Sequence, residues 1–192
     1  MKKHILDRYS QTDDGKVIID ITAGKIEDLY DDYDKTAPFL KKDLAQGLVD
    51  YITDSVREIG KEPFIIRFRL GGSIESGLTE RVQKSIYNYF VYLRELEYRE
   101  LRRMTRTSLI LLGVGLSILT LSAWVNQAIS EHKSVISGVF AEGLTVAAWV
   151  SLWESLATFL INWAPHRRKI KMYERIAESK VLFLKKRKKV EG

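Results

Sequence analysis

The sequence predicts a membrane protein of the α+β class, in which a small cytoplasmic α/β domain continues into a two-helix transmembrane hairpin and then a basic C-terminal helix or tail. Two long apolar segments, at about residues 107–125 and 143–163, predict the hairpin. Strand-like and helix-like patterns in the order β-α-β-α predict the domain. The expected parts are therefore 1–106, 107–163 and 164–192.

The charges follow the same three parts. The 192 residues carry 31 Lys and Arg and 25 Asp and Glu, a net charge of +6. The net charge is zero over 1–106, −2 over 107–163 and +8 over 164–192. A basic excess confined to the tail does not indicate a nucleic-acid-binding domain. The absence of cysteine excludes disulfides, thiolate metal sites and cysteine nucleophiles.

The first part contains two predicted strands. Asp13-Asp14-Gly15 is typical of a turn, and Lys16–Thr22 then alternates between apolar and polar residues. Phe64–Leu70 alternates in the same way, with Arg67 and Arg69 on the face opposite the aromatic residues. Two strands make a poor sheet on their own. We therefore expect a third strand from the N-terminus or from a partner chain.

Helical spacing appears between and after these strands. Asp43 and Gln46 resemble a capping box at the start of the first helix, and Gly60 is a natural stop. In the second helix apolar residues recur at steps of three and four from Leu78, and no Pro or Gly intervenes before Leu112. We expect this helix to run into the first span with little or no break.

The two spans differ in polarity. The first is apolar on every side, and the alternative for it is a buried helix of a soluble core. The second, at 143–163, is interrupted only by Glu154. It ends in Trp163-Ala164-Pro165 followed by basic residues, a pattern typical of a helix that ends at the membrane surface.

The positive charges near the spans predict their orientation. The short connection between the spans carries only Lys133, whereas both outer flanks are basic. The flanking residues are Arg94, Arg99, Arg102, Arg103 and Arg106 before the first span, and Arg167, Arg168, Lys169, Lys171 and Arg175 after the second. Because basic flanks stay in the cytoplasm, we expect both termini on the cytoplasmic side of a multi-pass protein.

Small and polar residues mark candidate assembly faces on the spans. They are Gly113, Ser117 and Thr120 on the first span, and Ala147, Ser151, Ser155, Thr158 and Asn162, with Glu154 beside them, on the second. Glu154 has two interpretations. It is a proton or cation site in an assembled pore, or a protonated or paired carboxyl that fixes assembly. We expect it at a helix–helix contact.

The C-terminal tail carries a polybasic run next to an apolar one. The run consists of Lys185, Lys186, Arg187, Lys188 and Lys189. It predicts contact with anionic lipid headgroups at the membrane surface. The alternatives are a solvated, disordered tail and, less fitting for a two-span protein, a nuclear or nucleic-acid signal.

Other candidate sites have plainer interpretations. The acidic residues Glu27, Asp28, Asp31, Asp32 and Asp34 do not have the spacing of a calcium loop, so we expect a solvated acidic surface. The three histidines are far apart, and Gly71-Gly72-Ser73 lacks the remainder of a phosphate loop. No nucleophile–base pair is visible. We therefore expect no catalytic residue, no metal and no cofactor.

Three stretches carry a resemblance to a known family. They are YDKTAPFLKKDL (33–44), YNYFVYLRELEYREL (87–101) and EGLTVAAWVSLWESLATFLINWAPHRRK (142–169), the last being the most specific. Together they resemble a family of short prokaryotic two-span membrane proteins with no assigned function, over about residues 20 to 180. The resemblance implies the two-span topology and a bacterial or archaeal inner membrane, but no activity.

The sequence thus predicts a non-enzymatic scaffold or adaptor that is anchored in the membrane and oligomerises. The expected partners are anionic lipid and further copies of the chain, with another membrane protein as a further candidate, but not nucleic acid. The alternative is a subunit of an ion or proton pore or transporter that uses Glu154.

Overall fold

The computed structural model describes residues 6–31, 38, 42–71, 76–129 and 135–185. The chain divides into two compact units. Met1–Glu95 together with Ile170–Gly192 forms the first, here called the sheet unit. Leu96–Lys169 forms the second, here called the hairpin unit.

The sheet unit contains a mixed four-stranded sheet. The strands are β1 (Ser10–Gln11), β2 (Val17–Ala23), β3 (Phe64–Leu70) and β4 (Lys180–Lys185), in the spatial order β1-β2-β3-β4. β1 pairs with β2 in antiparallel fashion, whereas β2, β3 and β4 are parallel. The two strands expected from the sequence are confirmed, and Gly15 in the preceding turn has the positive φ of 74° that favours glycine.

Three helical segments cover one face of this sheet. α1 (Gln46–Ile59) follows β2, and α2 (Ser76–Ile129) and α3 (Val135–Ala177) follow β3. The buried core consists mainly of Val17, Ile19, Ile21, Phe64, Ile66, Phe68, Ile52, Val56, Val82, Ile86, Phe90, Ile176 and Val181. Because side chains alternate along a strand, Asp20, Arg67 and Arg69 lie on the opposite face.

The start of α1 differs from the capping box expected at Asp43. The N-cap is Ala45, which makes no side-chain cap hydrogen bond. The residues before it are held in an extended bridge instead, because Leu44 pairs with Tyr30 and the Asp31 N–H donates to the Asp43 carbonyl at 3.0 Å. The expected end is confirmed, since Gly60 follows Ile59 with a φ of 72°.

α2 and α3 are much longer than the other elements. α2 runs without interruption over 54 residues, as the absence of Pro and Gly between Leu78 and Leu112 predicted. α3 does not end near Trp163, as the sequence pattern suggested, but continues through Pro165 to Ala177. Pro165 has no N–H to donate, and the turns that follow it are held by burial of Ile176 and Ala177 in the core.

The C-terminal segment adds a strand that the sequence analysis did not predict. The basic segment expected after the second span is helical as far as Ala177, at the end of α3, but Lys180–Lys185 then pairs with β3 along six residues. Phe183 stacks on Phe68 with ring centroids 5.4 Å apart, which secures β4 to the core. The sheet therefore gains its further strands from both ends of the same chain, and β3 and β4 are joined by α2 and α3.

Candidate functional site in the apolar helices

α2 and α3 expose a large apolar surface. Their most apolar stretches have mean hydropathies of 2.1 and 1.6, and only 17% and 11% of those stretches is buried. Large side chains such as Trp124, Trp153 and Ile161 are about two-thirds exposed, at 68%, 70% and 69%. Soluble monomers rarely expose contiguous apolar patches of this kind. Both helices are long and apolar enough to cross a membrane.

Within the hairpin unit the two helices meet through small and polar residues. Ser108, Gly115 and Ser122, seven residues apart along α2, are buried in this contact. The Ser155 hydroxyl donates to the Ser108 carbonyl at 2.6 Å, and the Ser122 and Thr145 hydroxyls are 2.7 Å apart. These bonds satisfy the hydroxyls of Ser155, Ser122 and Thr145, whereas the buried Ser108 hydroxyl has no hydrogen-bond partner among the described residues.

Gly115 sets how closely the helices approach. A Cβ added there would lie 3.0 Å from the Leu152 Cδ2 atom and 3.2 Å from the Leu152 backbone nitrogen. One helix turn from Leu152 along α3, Ala148 is fully buried. Close contact at small residues is the usual basis of helix association in membranes. The centre of the hairpin unit therefore has room only for residues of this size.

The structure brings only part of the predicted polar set into this contact. Ser155 is buried at its centre, and Ser151 and Thr158 are half-buried beside it. The Ser151 hydroxyl donates to the Ala147 carbonyl of its own helix at 2.9 Å. The Asn162 side chain lies outside the described residues. Ala147 of the predicted face is exposed, and the contact with α2 instead includes Ala148 and Leu152 beside Ser155.

On the first span the predicted small-residue stripe lies outside the contact between α2 and α3. Gly113, Ser117 and Thr120 are exposed, and nothing lies within 4 Å of a Cβ built on Gly113. The Ser117 hydroxyl donates to the Gly113 carbonyl of the same helix at 2.8 Å. The chain therefore has two small-residue stripes on α2, and its own α3 covers the one at Ser108, Gly115 and Ser122.

Glu154 is exposed on the apolar part of α3. Among the described residues its carboxylate has no hydrogen-bond or ion-pair partner. Since the side chain is exposed in the described chain, the helix–helix contact expected for it would have to come from another chain. A carboxyl in this position costs about 3 kcal/mol when placed in the hydrocarbon without a partner.

A polar cluster that the sequence analysis did not predict lies near one end of the hairpin unit. Glu97 accepts hydrogen bonds from His166 Nδ1 at 2.7 Å and Lys169 Nζ at 3.0 Å. Burial raises the pKa of Glu97, but the hydrogen bonds from His166 and Lys169 outweigh it and hold the pKa below its usual value. The sequence signal for this cluster was the spacing of His166 and Lys169, which places them on one helix face. Their carboxylate partner, Glu97, comes from α2 and could not be identified from that spacing.

The sheet unit contains one notable polar cavity, of about 260 Å³, beside β1. Its polar groups largely satisfy one another. The Tyr9 hydroxyl donates to Glu58 at 2.8 Å, Arg8 lies 3.6 Å from Glu58, and the Tyr51 hydroxyl donates to the Asp20 carbonyl at 3.3 Å. No group of His, Cys, Asp and Glu able to hold a metal occurs among the residues described.

The remaining candidates are placed in part. Glu27 and Asp28 lie in a short 3-10 helix (Ile26–Leu29), where Asp28 accepts the Lys25 N–H at 2.8 Å, while Asp32 and Asp34 lie outside the described residues. Gly71 donates its N–H to Ala23 and Gly24 after β3. Lys185 is the last residue of β4, and residues 186–189 of the basic run lie outside the described residues.

The fold thus defines a protein with a small mixed sheet and two helices able to span a bilayer. Comparisons with family models, with curated proteins and with solved structures found no match. Any function assigned to the chain therefore has to be argued from its own residues.

Proposed function

We propose that the chain is a two-span integral membrane protein that anchors its sheet unit at the membrane surface and acts as a non-enzymatic, oligomerising scaffold or adaptor. One observation carries the proposal. Both apolar helices are inserted in the connection between the parallel strands β3 and β4. The segments before and after the spans therefore belong to one folded unit.

This connectivity supports a definite topology. Two spans return the chain to the side of the membrane from which it started, and the sheet unit requires its two segments on the same side. The basic flanks support the cytoplasm as that side. The resemblance of the sequence to prokaryotic two-span proteins supports the cell inner membrane as the membrane.

The exposed polar features of the spans support oligomerisation. Gly113 and Ser117 form an open small-residue stripe on α2, and Glu154 lacks a partner within the described chain. A further copy of the chain offers both a close helix contact and hydroxyl partners for the Glu154 carboxyl. The hairpin unit alone offers these residues no such partners, because its own helix–helix contact uses the other small-residue stripe of α2, at Ser108, Gly115 and Ser122.

The mass of the protein in mild detergent tests this proposal. We expect a particle containing more than one 22.2 kDa chain. Gly113→Leu and Glu154→Leu should shift it toward the monomer, whereas Glu154→Gln should preserve assembly because the amide both donates and accepts hydrogen bonds. A monomer for the native chain at all concentrations would rule out the oligomeric scaffold.

An ion or proton pathway is the second candidate, and the unpaired Glu154 carboxylate is the observation that favours it. Intramembrane carboxyls commonly mark such pathways. The two candidates differ in what Glu154→Gln does in liposomes. Loss of flux with an intact oligomer supports transport, whereas an absence of flux from the native protein supports the scaffold.

A further inference from the structure

We propose that α2 carries a binding site for the headgroup of an anionic phospholipid, held by Arg102 and Arg106 at the cytoplasmic end of the first span. The inference rests on the two-span part of the proposed function and adds a specific lipid partner to it. It depends neither on the polybasic run of the tail nor on oligomerisation. Such a site would let the protein select the lipid that lies next to its first span.

A shallow hollow on the surface of α2, of about 550 Å³, is the first argument. The described residues that line it are Arg102, Thr105, Arg106, Leu109 and Ile110. At about 100° per residue these side chains lie within an arc of about 140°, so they form one continuous face of the helix. The volume falls within the range of about 300–1,000 Å³ that is typical of small-molecule sites. The hollow therefore has room for a phosphate-bearing headgroup.

The hollow faces away from the partner helix of the hairpin unit. Ser108, Gly115 and Ser122 form the side of α2 that contacts α3. The centre of the hollow lies about 150° around the helix from that stripe. No residue of α3 is among the described residues that line the hollow. In the proposed topology this side of α2 therefore meets lipid unless another chain covers it.

The residues of the hollow follow the order of polarity in a phospholipid. Arg106 is the last charged residue before the first span, and Arg102 precedes it by about one turn. Leu109 and Ile110 follow inside the span and are 61% and 57% exposed. A phospholipid bound here would place its phosphate beside the two arginines and an acyl chain beside the two apolar residues.

The two arginines have no negative partner within the described chain. Neither forms an ion pair with a carboxylate of the described residues. Glu97 already accepts hydrogen bonds from His166 and Lys169, and Glu100 lies about 160° around α2 from Arg102. Guanidinium groups bind phosphate oxygens through paired hydrogen bonds. The unpaired arginines are therefore suited to the phosphate of a lipid headgroup.

Charge complementarity selects a lipid over a second copy of the chain as the occupant. Copies inserted in the same orientation carry Arg102 and Arg106 at the same level of the membrane. A second copy would therefore bring like charge to the hollow, which is repulsive, although it could still contact Gly113 two turns deeper on the same face. A soluble acidic protein would not reach Leu109 and Ile110 within the bilayer. An anionic phospholipid supplies both the negative charge and the apolar chain.

The test measures which lipid lies next to the hollow in the full-length protein. Because the chain has no cysteine, Ile110→Cys provides a single site for a bimane label and leaves both arginines in place. The protein is reconstituted in phosphatidylcholine bilayers that contain a small fraction of either phosphatidylglycerol or phosphatidylcholine with a doxyl group on the acyl chain, which quenches bimane on contact. The ratio of the two quenching efficiencies gives the preference for the anionic lipid. A label introduced by Leu160→Cys, at an apolar residue of α3 that is 62% exposed, reports the general preference of the basic flanks.

We expect the preference for phosphatidylglycerol to be at least about tenfold greater at the label in the hollow than at the label on α3, since two charges act together. Arg102→Gln with Arg106→Gln should abolish this difference. Arg102→Lys with Arg106→Lys should lose only part of it, because the charges remain and the paired hydrogen bonds do not. Arg103→Gln with Arg168→Gln is the matched control, which removes the same charge from exposed residues outside the hollow and should retain the difference.

Three results would overturn the proposal. One is equal quenching of the label in the hollow by the two lipids, and another is an equal loss of preference in the matched control, which would assign the attraction to general surface charge. The third is displacement of the anionic lipid by inorganic phosphate beyond the effect of chloride at the same ionic strength, which would assign the arginines to a soluble phosphate. An absence of quenching by either lipid at both labels would overturn the two-span proposal together with this one.

Discussion

Asp20 lies in the middle of β2 on the face of the sheet opposite the helices, where it pairs with two arginines of the next strand. Arg67 donates to both of its carboxylate oxygens at 2.5 Å, and Arg69 lies 3.4 Å away. Hydrogen bonding by Arg67 lowers the pKa of Asp20 against the opposing effect of burial, and the charges of Arg67 and Arg69 lower it further. One carboxylate thereby bridges two arginines on one face of the sheet, and its negative charge offsets one of their two positive charges.

This arrangement predicts a dependence of stability on acid. The folded-state pKa of Asp20 is below its unfolded value of about 3.9, so the stabilisation is complete above that pH and is lost as pH falls through the lower folded-state pKa. Asp20→Asn should destabilise the sheet by about 1–2 kcal/mol at neutral pH. The same substitution should also flatten the decline of stability below pH ~4. Hydrogen exchange of β2 and β3 peptides, compared between variants at each pH, measures this.

Asp54→Asn is the matched control for that experiment. Asp54 pairs with Arg57 at 2.8 Å, but both side chains are more than 60% exposed. An exposed pair of this kind contributes less than about 0.5 kcal/mol. Equal loss of amide protection in the two variants would show that the ion pairs of Asp20 stabilise the sheet no more than an exposed pair does.

Gly113 and Gly115 differ by two positions and lie on different sides of α2. Only Gly115 is in tight contact with α3. The chain has no cysteine, so Ser122→Cys with Thr145→Cys introduces a single pair at hydroxyls 2.7 Å apart. We expect this cysteine pair to form an intrachain disulfide in membranes. The rate of disulfide formation should fall several-fold with Gly115→Leu, because overpacking at a contact costs about 1–3 kcal/mol.

Gly113→Leu is the control, and we expect it to leave the rate of crosslinking unchanged. Equal slowing by both substitutions would contradict the assigned contact. The comparison also shows where prediction at this scale ends. Helical periodicity identified Ser155, but it could not decide which of two small-residue stripes on α2 the chain covers itself, because both satisfy the same steric requirement.

At the scale of elements, β2, β3, α1 and α2 could be predicted because each carries a local periodic pattern. β4 could not, since Val181–Leu184 is a short apolar run among lysines and becomes a strand only through pairing with β3, more than 100 residues earlier. The passage of α3 through Pro165 was missed for a similar reason. Burial of the following turns in a distant core outweighs the local helix-breaking signal.

Truncation tests the contribution of β4. Removing residues 180–192 deletes the strand and exposes Phe68, whose ring stacks on Phe183. The truncation removes the buried Val181 and the half-buried Phe183. Because loss of such packing costs about 3 kcal/mol, we expect amide protection in β3 to fall about a hundredfold. Removing only residues 186–192 should leave β3 protected. Equal protection in the two truncated proteins would contradict the assignment of β4 to the sheet.

At the scale of the whole chain, the sheet and the apolar helices constrain each other through connectivity. β3 precedes both helices and β4 follows them, yet the two strands are neighbours in register. An odd number of crossings would separate β4 from β3 by a bilayer. Two crossings, or none, are therefore the only topologies compatible with the sheet, and the exposed apolar surface of both helices favours two.

The topology is tested by reporter fusions after Gly192 and within the connection at residues 131–133. We expect the C-terminal fusion to report from the cytoplasm and the connection to report from outside, because Lys and Arg are concentrated on both outer flanks.

Truncation before the second span provides the control, since a chain with one span should expose its new C-terminus outside and lose β4 from the sheet. A C-terminal fusion that reports from the outside would contradict both the charge argument and the pairing of β4 with β3. Reports from the cytoplasm at both positions would instead place the hairpin on one side of the membrane, and its exposed tryptophans would then need a protein partner to cover them.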